Sequence, residues 1–441
     1  MNPTLVVPMF ASRKKAFELV SLEKEIKQTQ MPINKLDMQN NKIGFKGQNI
    51  YLGIDVHKKN WQVSVSADMP IKRDEFHMTS NNVEGLLSHL QAKYPGATYY
   101  SAYESGFCGF SSHRRLIEAG IRNIVVNAAD VPTTQKASVT KTDAVDAKKL
   151  SEALKNGMLN GIHVPTEEEE GVKNLQRKRD DYVKKLGGTK SQIKHFLHRN
   201  GIDFESGFRE GVHWTSSFIQ WLKELDLSTH LRLTLDGYLE DYEYLKRQAA
   251  KFEGYLRTYM RENRMDDLEK IASVPGIGII TSMTFLSEIG DFSRFNNQRA
   301  FASYIGLSPT CHDAGEKKNT GEITFRSNRR LRTSLIESAW VAVKEDDSLR
   351  ADFLAYKRRM DSCNAIVRIA RKLANRILHV MKERDVYVIK EADGGERVKN
   401  TFPITRKKID ALSLPQQTAN EQISGESNNR EGAAPRQPKE I

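Results

Sequence analysis

The chain has 441 residues, 39% of them hydrophobic and 28% charged, with a formal net charge of +12, a pI near 9.3 and a mean hydropathy of −0.57. This length and composition exclude disorder throughout and predict two or three folded domains. The absence of any run of about 18 apolar residues excludes a transmembrane helix, and the basic balance points to a polyanionic partner, nucleic acid before a membrane surface.

The cysteines, Cys108, Cys311 and Cys363, are three in number and far apart. They suit a reducing cytosol and form neither a disulfide framework nor a zinc pattern. The opening stretch, MNPTLVVPMFASRKK, places its charges after a short apolar patch, the reverse of a secretory signal. Residues 1–48 read as an appendage, and Met31 or Met38 is an alternative start.

From Asn49 strands and helices alternate. IYLGID, WQVSVS, EFHMTS, TYYSAYE and NIVVN read as strands, whereas VEGLLSHLQAKY, HRRLIEAG and DAVDAKKLSEALKNG have helical spacing. Thr142 is the expected N-cap of the last helix and Gly157 its stop. The expectation is an α/β domain with a mixed sheet over 49–165. Residues 166–265 show almost no strand signal. They open on Glu167–Glu170 as a helix start and end in a long aromatic helix, either a coiled-coil arm or a helix packed on its own domain. A mainly helical, Arg- and Lys-rich domain follows over 266–390. Residues 391–441 form a tail, mostly disordered by composition.

Four acids carry the chemistry. Asp55 and Glu104 each close a buried strand, and open α/β sheets build their sites at the carboxyl ends of strands. Asp143 and Asp146 lie three residues apart, on one face of a helix that can cross that edge. Four converging carboxylates repel one another unless a hard cation neutralises them. Mg²⁺ or Mn²⁺ is therefore the implied cofactor, and metal-dependent phosphodiester chemistry the implied reaction. Singly, each acid has a plain reading: Asp143 as a cap, Glu104 as a solvated loop residue.

The stretches GIDVHKKNWQVSV, YESGFCGF and KTDAVDAKKLSEAL resemble the RuvC-like, RNase H-like domain of the DEDD insertion-sequence transposases, a family that includes a pilin-gene inverting recombinase and bridge-RNA-guided recombinases. Asp55, Glu104, Asp143 and Asp146 match its four acids in order, with Lys141-Thr142 as lead-in. The resemblance implies DNA strand exchange on target and donor DNA, an element-encoded guide (bridge) RNA, a homo-oligomer (dimer or tetramer), and a cytoplasmic, nucleoid-associated location without a membrane partner.

Farther on, LEKIASVPGIGIITSMTFLSEIG reads as helix, turn, helix. Gly276 and Gly278 allow close backbone approach, as in a helix-hairpin-helix that holds a phosphate through its amides, although a purely structural hairpin fits the same residues. The segment from Phe295 to Trp340 resembles the family's C-terminal transposase domain, with landmarks at Gly306-Leu307-Ser308-Pro309, Gly315 and Gly321. There the family's proposed nucleophile is a serine directly before the loop glycine; this chain has Ala314 before Gly315. Alanine has no hydroxyl with which to form a phosphoserine link. No neighbour substitutes: Ser308 reads as structural, Ser327 stands where the family tends to have glycine, and Cys311 and Thr320 lack support. The intact surroundings favour a deliberate replacement over a natural, divergent copy. Either way the reading is of a catalytically inactive form. The alternatives are a nuclease or junction resolvase that uses the acids alone, or a non-catalytic nucleic-acid binder. Arg326, Arg329, Arg330 and Arg332 crowd the stretch after the loop and suit contact with a nucleic-acid backbone. A second basic segment, with Lys357, Arg358, Arg359, Arg368, Arg371 and Lys372, suits RNA or DNA equally.

Overall fold

The computed structural model describes residues 44–72, 74–133, 142–208, 213–311, 320–323, 327–390 and 395–398. Ala314, Gly315, Arg326, Lys141, most of the N-terminal appendage and most of the tail lie outside them. The chain divides into two units, 1–164 and 165–441.

In the first unit, β1 (Asn49–Val56), β2 (Asn60–Ala67), β3 (Asp74–Thr79), β4 (Thr98–Glu104) and β5 (Arg122–Val126) form one sheet. Its order is β3-β2-β1-β4-β5. The first three strands are antiparallel neighbours, while β4 runs parallel to β1 and β5 parallel to β4. Alternation along β1 sorts its residues by face. Ile50, Leu52 and Ile54 are fully buried and share a core with Leu86 and Leu90 of α1 (Val83–Lys93) and Leu116 of α2 (Ser111–Glu118). The opposite face carries α3 (Asp143–Lys155), packed over β1, β2 and β4. Such a mixed five-stranded sheet fits the RNase H-like expectation.

The second unit is largely helical. Its first helix, α4 (Glu167–Arg199), starts at a capping box: the Thr166 hydroxyl accepts from the Glu169 amide, and the Glu169 carboxylate accepts from the Thr166 amide. The acidic run therefore occupies the first turn, where the helix dipole favours negative charge. The segments NLQRKRDDYVKKL and SQIKHFLHRN, which the sequence presents as separate helices, are continuous across Gly187 and Gly188. The glycine penalty, about 1 kcal/mol each, is offset by packing against α6 (Thr229–Asn263) along the helix.

These two helices form an antiparallel arm. Near one end Val172 joins Leu256 and Met260 in the main core; near the other Ile193, Phe196 and Leu197 join Leu235, Leu239 and Phe218 of α5 (Ser216–Glu224). Between these cores Arg179 reaches across to Glu253, which also accepts from Arg257 of its own helix, and the rings of Tyr182 and Phe252 meet with centroids 5.5 Å apart. Such pairings fix register more than they add stability.

The main core gathers α7 (Met265–Ala272), α8 (Ile279–Ile289), α9 (Gln298–Ile305), α10 (Arg329–Glu345), α11 (Asp347–Lys357) and α12 (Ser362–Glu383). Two short hairpins accompany them, β6 (Pro309–Cys311) with β7 (Thr320–Ile323), and β8 (Val388–Lys390) with β9 (Glu396–Val398). The second hairpin spans the start of the segment read as tail, because the buried Ile389 gives this short strand an anchor.

Candidate metal centre and nucleic-acid interface

The acids of the first unit are positioned by strand register. Ile54 lies beside Tyr103 in the parallel β1–β4 pair, so Asp55 and Glu104 follow at the carboxyl ends of adjacent strands, on the face opposite the Ile54 core. That is the face covered by α3. Its closeness depends on Gly53: a Cβ there would stand 1.9 Å from the Ala147 carbonyl oxygen and 2.5 Å from the Ser151 amide. The Ser151 hydroxyl also lies 3.1 Å from that of Ser66 on β2. Gly53→Ala must push α3 off the sheet. The expected result is a loss of about 1–3 kcal/mol in stability together with weaker divalent-cation binding, measured by thermal melting and calorimetric titration with Mn²⁺.

Thr142 caps α3, its hydroxyl accepting from the Val145 amide at 3.4 Å. Asp143 is thus free of the capping role and sits in the first turn with Asp146, both near the positive end of the helix. Asp55 and Asp143 come together through His57, a residue with no motif of its own; the cluster does not include Glu104 or Asp146. His57 Nε2 is 3.2 Å from Asp55 Oδ2 and 3.1 Å from Asp143 Oδ2. Ionised carboxylates only accept, so a proton on this nitrogen would be shared between the two of them. One ligand atom from each of these three residues fits within a 4.8 Å cluster. Asp146 is held by Lys149 at 2.8 Å, yet with Asp143 it still pushes the Asp55 carboxyl upward. Burial is the largest cause of that rise, and His57 opposes it. Burial first, and the Asp143 and Asp146 charges after it, raise this carboxyl, and the oxygen and nitrogen donors of the cluster fit a hard or borderline divalent ion.

In the second unit the Pro-Gly-Ile-Gly turn between α7 and α8 has a structural duty. Gly276 adopts φ +75°, and a Cβ would stand 2.3 Å from the Ser338 carbonyl oxygen of α10. Its amide donates to Glu345 Oε2 at 2.8 Å. The turn is thereby fastened to α10, and a phosphate at Gly276 would have to displace a carboxylate. Gly278, by contrast, has open space around its Cα and begins α8 without a side-chain cap.

The arginines after the loop also separate by role. Arg329 is exposed at the start of α10. Arg330 pairs with Asp180 at 3.0 Å and lies 4.0 Å from Glu288, and Arg332 donates to the Gly306 carbonyl at 3.5 Å. Glu288 is buried at the centre of this group. Arg177 binds it with two hydrogen bonds of 2.8 and 3.0 Å, Asn328 donates at 2.9 Å, and Lys173 stands 3.7 Å away. Burial pushes this carboxyl upward, but Arg177, Lys173 and Asn328 together hold it below the ordinary range. Gly306 (φ +83°) leaves room for Ser327, whose hydroxyl, like that of Ser308, is buried without a partner among the described residues. Both are packed groups.

Comparison with known proteins places these features. A transposase family profile for DEDD-type insertion-sequence enzymes matches residues 52–200, and one described as "Transposase IS116/IS110/IS902 family" matches 268–354. The chain is 24% identical over 288 residues to the "Transposase for insertion sequence element IS1111A" of Coxiella burnetii, covering 64% of this chain and 77% of that protein. It is 25% identical over 305 residues to the transposase for IS1533 of Leptospira borgpetersenii, covering 66% and 84%. The Sinorhizobium fredii protein y4qE, which also bears a transposase name, is 27% identical over 296 residues, covering 66% and 71%. Among the described residues, no helix is long and apolar enough to cross a membrane.

Proposed function

Because the chain carries the two transposase domains of the IS110/IS116 insertion-sequence family, we propose that it is a DNA recombinase of strand-exchange type whose nucleophile position is occupied by Ala314. The observation that carries this reading is the convergence of Asp55, His57 and Asp143, with Asp146 close enough to raise the Asp55 carboxyl and Glu104 on the neighbouring strand end.

Asp55, Glu104, Asp143 and Asp146 would hold a divalent cation, Mg²⁺ or Mn²⁺, with His57 as nitrogen donor. Such an ion supplies charge neutralisation at a DNA phosphate. The chain's own groups do the rest. The strand ends fix two carboxylates on a rigid sheet edge, α3 brings two more, and Lys149 keeps Asp146 oriented. A serine at position 314 would form the bond to phosphorus while the bond to the displaced strand oxygen breaks, leaving the strand on the protein until exchange. Target and donor DNA, a guide RNA encoded by the element, and assembly into dimers or tetramers belong to the same proposal through the family.

The test compares the chain with Ala314→Ser on target and donor DNA, with Mg²⁺ and the guide RNA. Ala314→Ser is expected to give a covalent protein–DNA species on a denaturing gel, and recombined product, where the Ala314 chain gives neither. Ala314 itself favours a second reading, a nuclease acting through the acids alone. Equal cutting by both proteins with no covalent species would establish that reading instead.

A further inference from the structure

The end of α9, the β6–β7 hairpin, α11 and α12 enclose a cavity of about 540 Å³, within the range of small-molecule sites. Its walls are of two kinds. Leu307, Met360 and Val367 give apolar surface, and Tyr356 adds an aromatic ring. Apart from Pro309 and Ile323, the rest is cationic or polar. The Arg368 guanidinium lies 5.6 Å from the Tyr356 ring centre. Among the residues whose side chains are described, no carboxylate pairs with Arg368 or Arg371, whereas Lys372 beside them is bonded to Asp352. Finally, the buried amide oxygen of Asn375 has no hydrogen-bond partner among the described residues, a deficit worth correcting by a donor from outside.

These groups specify a ligand. It has flat apolar faces for Tyr356, an N–H on its edge for Asn375, and an anionic group for Arg371. A nucleotide unit carries all three, and base–aromatic stacking beside arginines is the general chemistry of single-strand recognition. The place is also informative: Pro309 and Ile323, on the cavity wall, are paired across the hairpin whose strands bracket position 314. Resting on the recombinase reading, we propose that this cavity takes one unstacked nucleotide of the strand being handled, its base against Tyr356 and its phosphate at Arg371.

The full chain would be photo-crosslinked to a mixed-sequence single strand of about 12 nucleotides. One arm uses DNA carrying 5-iododeoxyuridine and the other RNA carrying 5-iodouridine; the arm that labels names the source. The expected result is labelling of the peptide bearing Tyr356 and Met360. Val367→Trp, which fills the cavity, should abolish the label and weaken single-strand affinity by about fivefold or more, with duplex affinity unchanged. Arg371→Ala, a partly exposed site with little risk to folding, should weaken it similarly. Labelling confined to other peptides, unchanged affinity in both variants, or no single-strand binding by the parent chain would each overturn the proposal. Covalent-adduct formation by Ala314→Ser that persists at full yield with Val367→Trp would reject the pocket while leaving the recombinase reading intact.

Discussion

Glu288→Ala should lower the stability of the second unit by about 1–3 kcal/mol, the scale for leaving hydrogen-bonding partners of a buried group unsatisfied, because the cations around it keep access to solvent. The carboxylate is wholly buried, and its loss removes the acceptor of the half-exposed Arg177 guanidinium and of the Asn328 amide and, at longer range, the counter-charge of Lys173 and Arg330. Circular dichroism at 222 nm during urea unfolding reports this directly, because most of the helix lies in that unit. Glu288→Gln keeps the shape and one acceptor but not the charge, and should fall between the two. The same pairing makes stability depend on pH. The folded Glu288 carboxyl titrates below its unfolded value, so its contribution is complete above the ordinary carboxylate range and lost as pH falls through the folded value. The parent chain should therefore lose more stability on acidification than Glu288→Gln does. Equal acid sensitivity of the two proteins would remove the network from the account.

The second large effect concerns the metal centre. Asp55→Asn and Glu104→Gln should each weaken Mn²⁺ binding by at least about 10–100-fold, since even residues that only orient metal ligands contribute on that scale. The proteins should stay folded. Asp55→Asn is expected to melt no lower than the parent without metal, because it relieves a carboxyl that burial, Asp143 and Asp146 already disfavour in its charged form. The sign follows from the raised folded value: the stability it gives is present at low pH and lost as pH rises through it. A variant that loses metal while keeping or gaining stability marks a site shaped for a ligand. A fall in melting temperature with metal binding preserved would mark Asp55 as an ordinary structural acid.

Much of the first unit was legible because its signals are local. IYLGID and TYYSAYE read as strands from their apolar and β-branched content, and the Thr142 cap fixed where α3 begins, which in turn put Asp143 and Asp146 on its first turn. His57 was missed because a histidine two residues after a strand-end acid has no pattern of its own. Its meaning comes from Asp143, 86 positions away in a sequence where nothing links them. Glu288 is a stronger case. Nothing in FLSEIG sets it apart, and only Arg177, 111 residues earlier, shows why it is buried. Gly276 and Arg330 illustrate the reverse. Residue type alone suggested contact with phosphate, whereas Glu345 bonds the one and Asp180 pairs with the other. Sequence counts charges well; it does not say which are already paired.

The parallel register that sets Ile54 beside Tyr103 and Asp55 level with Glu104 also determines what kinds of length change the site can absorb. Side chains alternate faces along a strand, so deleting one residue between Thr98 and Glu104 would turn the glutamate toward the Leu86 and Leu116 layer and leave its neighbour at the edge. Deleting two would shorten the strand yet keep the face. The acidic edge is thus encoded as a matter of odd and even counting within β1 and β4.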